Sequence, residues 1–358
     1  MSEAVDVVVV GAGFSGLAAL HLLRERGLRV RAYDEAGNVG GTWWWHAYPG
    51  SHLDTECHLY QYFFSESLYR DWGWSERHPA GYEVQRWLRF VVDRLDLRRD
   101  IRLGTRVVSA RPDDGGWTVR TDRDETVRAR HLVACTGRVP VEPDVDVRAF
   151  GGLVVRTAAW PENGQDLTGR RVGIVGTTPA TVQLVPWIAD RVAELVVVST
   201  GAVDVVRRVN PAYGWRERED YKARFADLPG EVVRPVPDRA AMRARTRDPR
   251  LIPTGEPRRA VLDDGYLEVF DRDQVSLVEL TDLARVRADG LELTDGAVCA
   301  LDVLVVADDF DAGPPAATLL DVGTDHPGFA SVVAPCGGTA AVELQRSLAS
   351  VVERIVAG

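Results

Sequence analysis

With 358 residues, 45% hydrophobic and 27% charged, the chain can build one large or two medium domains, and its balance excludes a disordered protein. Its formal net charge of −10 repels phosphate backbones and anionic lipid, so no nucleic acid and no membrane partner is expected. No apolar run approaches the ~20 residues of a membrane span, and the start Met1-Ser2-Glu3-Ala4 does not resemble a signal peptide. A cytoplasmic location is therefore expected. Lys222 is the only lysine among 43 basic residues, a compositional bias that carries no function. Cys57, Cys135, Cys299 and Cys336 form no CxxC pair and read as reduced packing thiols.

In chain order, the β-branched run Val5 to Val10 predicts a buried parallel strand, the glycine-rich stretch 11–16 a turn, and Leu17 to Arg26 a helix ending at Gly27. Leu28 to Tyr33 follows as a second strand, completing the first unit of a doubly wound sheet. Val84, Trp87, Leu88, Val91, Val92 and Leu95 recur at helical spacing. Strands are expected at Val107-Val108, Trp117 to Val119 and His131 to Cys135. A second unit begins near Arg171, with Val172 to Val175 as strand, Pro179 to Ile188 as helix and Leu195 to Val198 as strand. Residues 207–257 read as loop with short helix. Regular alternation resumes over Tyr266 to Val278, Leu291 to Leu293 and Leu301 to Val306, and Ala340 to Val356 is expected to be a closing helix.

Gly11-Ala12-Gly13-Phe14-Ser15-Gly16 is GxGxxG between a predicted strand and helix. The first glycine permits the tight turn, the second admits a pyrophosphate to the backbone, and the third packs helix on strand. Asp34, with Glu35 beside it, ends the second strand where a carboxylate accepts ribose hydroxyls. That much leaves NAD and FAD open. Three further segments favour FAD: Val39-Gly40-Gly41-Thr42-Trp43 after the acid, Ala134-Cys135-Thr136-Gly137 where the chain leaves the first domain, and Asp302 to Ala307 as the strand that brings it back. The fold class is thus α/β, with two Rossmann-like dinucleotide-binding domains, the second reduced. Residues 1–146 are assigned to the FAD domain, 147–300 to a reduced NADP-like domain and 301–358 to the returning part of the FAD domain.

Residues 40–68 carry Gly-Gly-Thr-Trp-Trp-Trp-His-Ala-Tyr-Pro-Gly from Gly40 and then, from Asp54, Asp-Thr-Glu-Cys-His-Leu-Tyr. This block resembles the Baeyer–Villiger monooxygenases of cyclohexanone-monooxygenase type, within the flavin monooxygenase superfamily. Phe150, Gly152, Trp160 and Pro161 match that superfamily's fingerprint, Arg258 to Arg272 resembles the segment around the family's active-site arginine, and Val342 to Gln345 resembles the stretch that ends its FAD domain. The resemblance implies that FAD is held by Gly11, Gly13, Phe14, Ser15, Gly16, Asp34, Glu35, Gly41, Thr42, Trp43, Asp54, Tyr60, Val107, Thr136 and Gly137. It also implies peroxyflavin chemistry, with Arg259 stabilising the peroxide anion and Asp54 orienting Arg259. His46, His52 and His58 lie inside the flavin block without acidic ligand spacing, so no metal site is expected.

The departures from the family concern NADPH. Arg156 stands at the fingerprint's histidine, and the second turn reads Gly176-Thr177-Thr178-Pro179-Ala180-Thr181. Ser199-Thr200-Gly201 replaces the arginine for the 2′-phosphate, and Ala307-Asp308-Asp309 replaces Ala-Thr-Gly. The chain is also short near 210–257 and between Phe310 and Pro327. These changes imply that FAD is kept while NADPH binding is weakened or lost.

Three functions stay open. One is a monooxygenase of specialised metabolism acting on a small organic substrate, with electrons from a weak nicotinamide site, a partner flavin reductase or the substrate. The second is an FAD-dependent oxidase, isomerase or cyclase that consumes no NADPH, and the third a flavin-binding pseudoenzyme partner. A homodimer is compatible with each. The paired turn and acid predict a yellow protein that releases FAD, not FMN, on denaturation; chromatography of the released flavin checks this.

Overall fold

Val7, Val8 and Val9 are fully buried, as a strand covered on both faces requires. They lie in β1 (Glu3–Val10), the centre of the first sheet in a computed structural model that describes residues 3–227, 235–257, 259–309, 328–332 and 340–357. Arg258, Cys336 and the segment between Phe310 and Pro327 lie outside the described residues, as does the side chain of Val342.

After β1 come α1 (Phe14–Glu25), β2 (Val30–Tyr33), α2 (Thr42–Trp45), α3 (Glu66–Asp71), α4 (Gly81–Arg94), β3 (Ile101–Arg102), β4 (Val107–Asp113), β5 (Gly116–Thr121) and β6 (Thr126–Ala134). Their order in the sheet is β3-β2-β1-β6-β5-β4. β1 pairs in parallel with β2 and β6, whereas β5 and β4 run antiparallel. The apolar face of α4 read from the sequence is buried: Val84, Trp87, Leu88, Val91 and Val92 join Leu17, Leu20 and Leu23 of α1 in one core.

The second unit contains β7 (Leu153–Arg156), β8 (Arg171–Val175), α5 (Pro179–Ile188), β9 (Glu194–Ser199) and β10 (Val205–Arg207). α6 (Trp215–Ala223), α7 (Arg239–Arg243), β11 (Val261–Asp263), α8 (Tyr266–Val269), β12 (Val275–Glu279), β13 (Leu283–Arg287), β14 (Gly290–Leu293), β15 (Val298–Ala300) and β16 (Val303–Val306) follow. β12-β9-β8-β16-β7 make a parallel sheet, and β13, β14 and β15 a small antiparallel one. The alternation expected from Tyr266 is a helix for its first turn: Tyr266, Leu267 and Val269 bury against the second core, and the strand starts only at Val275.

One expectation is corrected. The strand at 302–307 does not return the chain to the first sheet; β16 lies between β8 and β7, with Val305 beside both Ile174 and Val155. Four consecutive buried residues, Val303 to Val306, suit any central parallel strand, so the run did not specify its sheet. The return is made by β17 (Phe329–Ser331), which pairs with the second half of β6, and by α9 (Ala340–Ala357). Leu344, Leu348, Val351 and Val352 of α9 enter the first core. Gln345 accepts from Phe63 N (2.7 Å) and donates to Gln61 O (3.1 Å), fastening α9 to the loop that follows the flavin block.

Leu348 is completely buried. Leu348→Ala should destabilise the protein by about 2–5 kcal/mol and weaken flavin retention, which urea unfolding and the bound-flavin absorbance will measure.

Candidate functional site

The first glycine turn is built by close approaches that side chains would block. Gly11 has φ +106°, and a Cβ there would run into the carbonyl oxygen of Cys135; a Cβ on Gly16 would run into that of Gly11. Gly41, at φ +55°, meets Gly13: a Cβ on Gly41 would lie 2.9 Å from the Gly13 Cα. Gly40 N donates to Ala12 O at 3.2 Å. The two glycine stretches of the sequence are therefore one backbone cradle. α1 follows Gly13, which offers no side-chain cap, leaving its first N–H groups facing the turn, where an anion is favoured.

Asp34 closes the cradle. Its Oδ2 accepts from Ala12 N (2.6 Å) and its Oδ1 from Ala36 N (2.8 Å). Burial pushes the carboxyl above its ordinary range, and these two bonds pull it back. Each oxygen keeps a lone pair for a ribose hydroxyl. Thr105 N donates to Asp34 O at 2.9 Å, which brings Val107, buried in the sheet, to the same end. Thr136 Oγ1 is shielded and has no hydrogen-bond partner among the described residues, at the strand end that faces the turn. A glycine cradle, an uncapped helix start and an orphaned hydroxyl fit a dinucleotide.

The other expected residues divide. Trp43 Nε1 donates to Tyr60 OH (3.0 Å), and burial pushes the Tyr60 phenol up to about 12. The Phe14 ring sits 4.7 Å from Tyr60 and 4.4 Å from Tyr62, so only its backbone faces the turn. Ser15 is buried, Gly137 takes φ +71°, and Glu35 and Thr42 are exposed.

Asp54 and Arg259, far apart in sequence, meet: Arg259 Nη2 donates to Asp54 Oδ2 at 3.4 Å. The loop carrying Asp54 lies on α5. Sequence reasoning missed the residue that holds it there, Gln183, whose only signal is an amide within an apolar helix. Arg208 was missed as well; its side chain is 1% exposed and pairs with Asp264 at 3.0 Å.

The second turn is different. Thr177 N donates to Thr200 Oγ1 (3.1 Å), and Thr200 N to Thr177 Oγ1 (3.2 Å). Thr178 N reaches Thr181 Oγ1 (3.4 Å), which itself donates to Gly176 O (2.6 Å). Thr178 N, at the position of Gly13 in the first turn, is thus turned to the protein's own Thr181, and Pro179 beside it has no N–H to offer. At the neighbouring strand end Arg156 bonds both Glu142 and Asp308, the latter side chain fully buried. Asp308 also accepts from Ala158 N at 3.0 Å. Two departures from the family, Arg156 and Asp308, are thus partners of each other. Thr178 and Pro179 leave this turn fewer N–H groups for a pyrophosphate than the first turn has.

Residues 9–72 match the NAD(P)-binding Rossmann-like domain family. The chain is 37% identical to the acetone monooxygenase (methyl acetate-forming) of Gordonia sp. (strain TY-5), covering 88% of this chain and 72% of that protein. The chain belongs to the Baeyer–Villiger-type flavin monooxygenases. Within this family it is 32% identical to a Baeyer–Villiger monooxygenase of Pseudooceanicola batsensis, over 86% of this chain and 69% of the relative. An oxidized steroid monooxygenase bound to NADP superposes with TM-score 0.87 at 32% identity, over 98% of this chain and 84% of that one. The open form of a cyclohexanone monooxygenase gives TM-score 0.90 at 27% identity, over 99% and 88%. The two-domain α/β fold is that of these flavin monooxygenases, and among the described residues no helix is long and apolar enough to cross a membrane.

His46 and His58, in the flavin block, and His78, beside it, are buried, and burial lowers each to about 4. A histidine depressed from its ordinary 6.5 binds its proton more readily unfolded than folded, so its contribution is present above 6.5 and is lost as pH falls toward 4. The melting temperature should fall through that window, and His46→Gln should flatten the drop in a pH series of thermal melts.

Proposed function

We propose that the protein is an FAD-dependent monooxygenase that inserts oxygen into a small organic ketone, with nicotinamide binding weakened or lost. The pairing of Arg259 with Asp54 across the two domains carries this reading. FAD, when bound and reduced, supplies the activation of dioxygen. The cradle of Gly11, Gly13, Gly16 and Gly41 would hold the pyrophosphate, Asp34 the ribose, and Thr136 a further polar group. Arg259 offers a guanidinium fixed beside developing negative charge, where it needs no reorganisation during reaction. Asp54 restrains that guanidinium.

The engaged second turn supports the nicotinamide half of the proposal. Thr178 N is engaged by Thr181, Pro179 has no N–H, and Thr200 supplies no cation for a 2′-phosphate. Arg156 with its two carboxylates, Glu142 and Asp308, leaves one net negative charge at the strand end where ligands bind in doubly wound sheets. On this reading the partners are a small ketone, a separate flavin reductase and, as a homodimer, a second copy of the chain. The setting is the cytoplasm, where thiols such as Cys57 and Cys135 stay reduced.

Stopped-flow mixing with NADPH should reduce the flavin more slowly than about 1 per second, the low end of ordinary turnover. Flavin reduced by light or dithionite, then mixed with oxygen and a small ketone, should yield ester or lactone. Arg259→Ala should cut that product about 10²–10³-fold and release hydrogen peroxide instead. Fast reduction by NADPH overturns the nicotinamide half. Absence of oxygenated product points to a non-oxygenating flavoenzyme.

A further inference from the structure

We propose that Gln183 of α5 is a positioning residue, which holds the Asp54 carboxylate and, through it, Arg259 for chemistry at the flavin. The inference rests on the monooxygenase reading above. Gln183 is 4% exposed, and a buried amide must place both its donors and its acceptors. Its Oε1 accepts from Tyr48 OH (2.9 Å) and His52 N (3.3 Å). Its Nε2 donates to His52 O (3.1 Å) and to Asp54 Oδ1 (3.1 Å). The amide has one admissible orientation, because rotating it by 180° would set its NH₂ against the His52 N–H and its oxygen against two acceptors, His52 O and Asp54 Oδ1.

Asp54 is therefore gripped at both oxygens. Oδ1 faces an N–H that cannot accept a proton, so that oxygen stays an acceptor. Oδ2 turns to Arg259 at 3.4 Å, a longer contact than the one Gln183 makes. The shorter grip sets the carboxylate plane, and the plane sets where the guanidinium rests. Burial and the charge of Asp54 both raise the Tyr48 phenol, which keeps the far end of the chain Tyr48–Gln183–Asp54–Arg259 neutral and donating.

The contact also explains what the second domain does while its phosphate turn is engaged by its own side chains. That domain supplies Gln183 from α5 and Arg259 from the segment before β11, and Asp54 of the first domain is caught between them. A hydrogen-bonded support of this kind fixes a functional side chain to a fraction of an ångström.

The test uses the FAD-loaded protein and the variants Gln183→Leu, Gln183→Glu, Asp54→Asn and Gln183→Leu/Asp54→Asn. Three quantities are read: the midpoint potential of the bound flavin, the ratio of oxygenated product to hydrogen peroxide after chemical reduction, and the melting temperature. Gln183→Leu should lower the product ratio at least tenfold and shift the potential, and the double variant should lose no more than Asp54→Asn alone. Gln183→Glu keeps the size but sets a carboxylate against Asp54, so it should fail as the leucine does and make the product ratio pH-dependent. A Gln183→Leu or Gln183→Glu protein with wild-type product ratio and potential overturns the proposal. So do losses that multiply in the double variant, which mark an independent structural role. Should Gln183→Leu not retain FAD, the isosteric Gln183→Glu decides alone. Should the wild type form no product at all, the monooxygenase reading fails by itself, and the potential still decides: a shift on Gln183→Leu that vanishes in the Asp54→Asn background supports the relay, and no shift overturns it.

Discussion

Where the loop 48–54 crosses α5, there is no room for a side chain. Gly50 takes φ +83°, and a Cβ on it would strike the Trp187 ring and the Gln183 carbonyl oxygen. Only glycine reaches that conformation cheaply while leaving the space empty. The passage lets a loop of the first domain lie on a helix of the second, and everything chemical in the site depends on it. Tyr48, His52 and Asp54 reach Gln183 because Gly50 lets them down onto the helix, and Asp54 reaches Arg259 from there. The meeting of Gly13 with Gly41 does the same for the cofactor side, bringing the flavin block against the phosphate turn.

Local patterns were readable in the sequence where one physical demand dominates. The valines of β1, the stripe of α4 and the helix after the second turn all lie where the residue pattern placed them. Asp34 and the first glycine turn were legible because tight turns and carboxylates have few alternatives. What failed was assignment between sheets: β16 is apolar on both faces, and that says buried without saying where. The helix at Tyr266–Val269 was misread because its apolar residues also satisfy strand alternation over so short a stretch. Gln183 was invisible for a different reason. Its importance lies in four hydrogen bonds to three residues distant in sequence, and only the folded chain displays them.

The departures from the family are matched to one another. Arg156 takes the place of a histidine and Asp308 that of a threonine, and they form one ion pair with Glu142 at its other end. Asp308 is fully buried, and a buried carboxylate stripped of its cation is strongly destabilising. Restoring the histidine alone would therefore leave a defect, and the same holds for Thr177 and Thr200, each of which satisfies the other. Val141 and Asp309 exchange backbone bonds at 2.8 and 2.9 Å beside this pair, so the two chain crossings between domains are zipped together. These contacts make the region a self-contained structural joint.

β6 changes partner halfway along its length. Its first half pairs with β5, close in sequence, and its second half with β17, which follows the entire second domain. Loop closure of that length carries a large entropic charge before any strand contact forms. During synthesis the second domain has all its strands available while the first still lacks an edge. The part of the chain that is made first is thus the last to be finished, and until β17 arrives, half of β6 stands as an open sheet edge bordering the cradle.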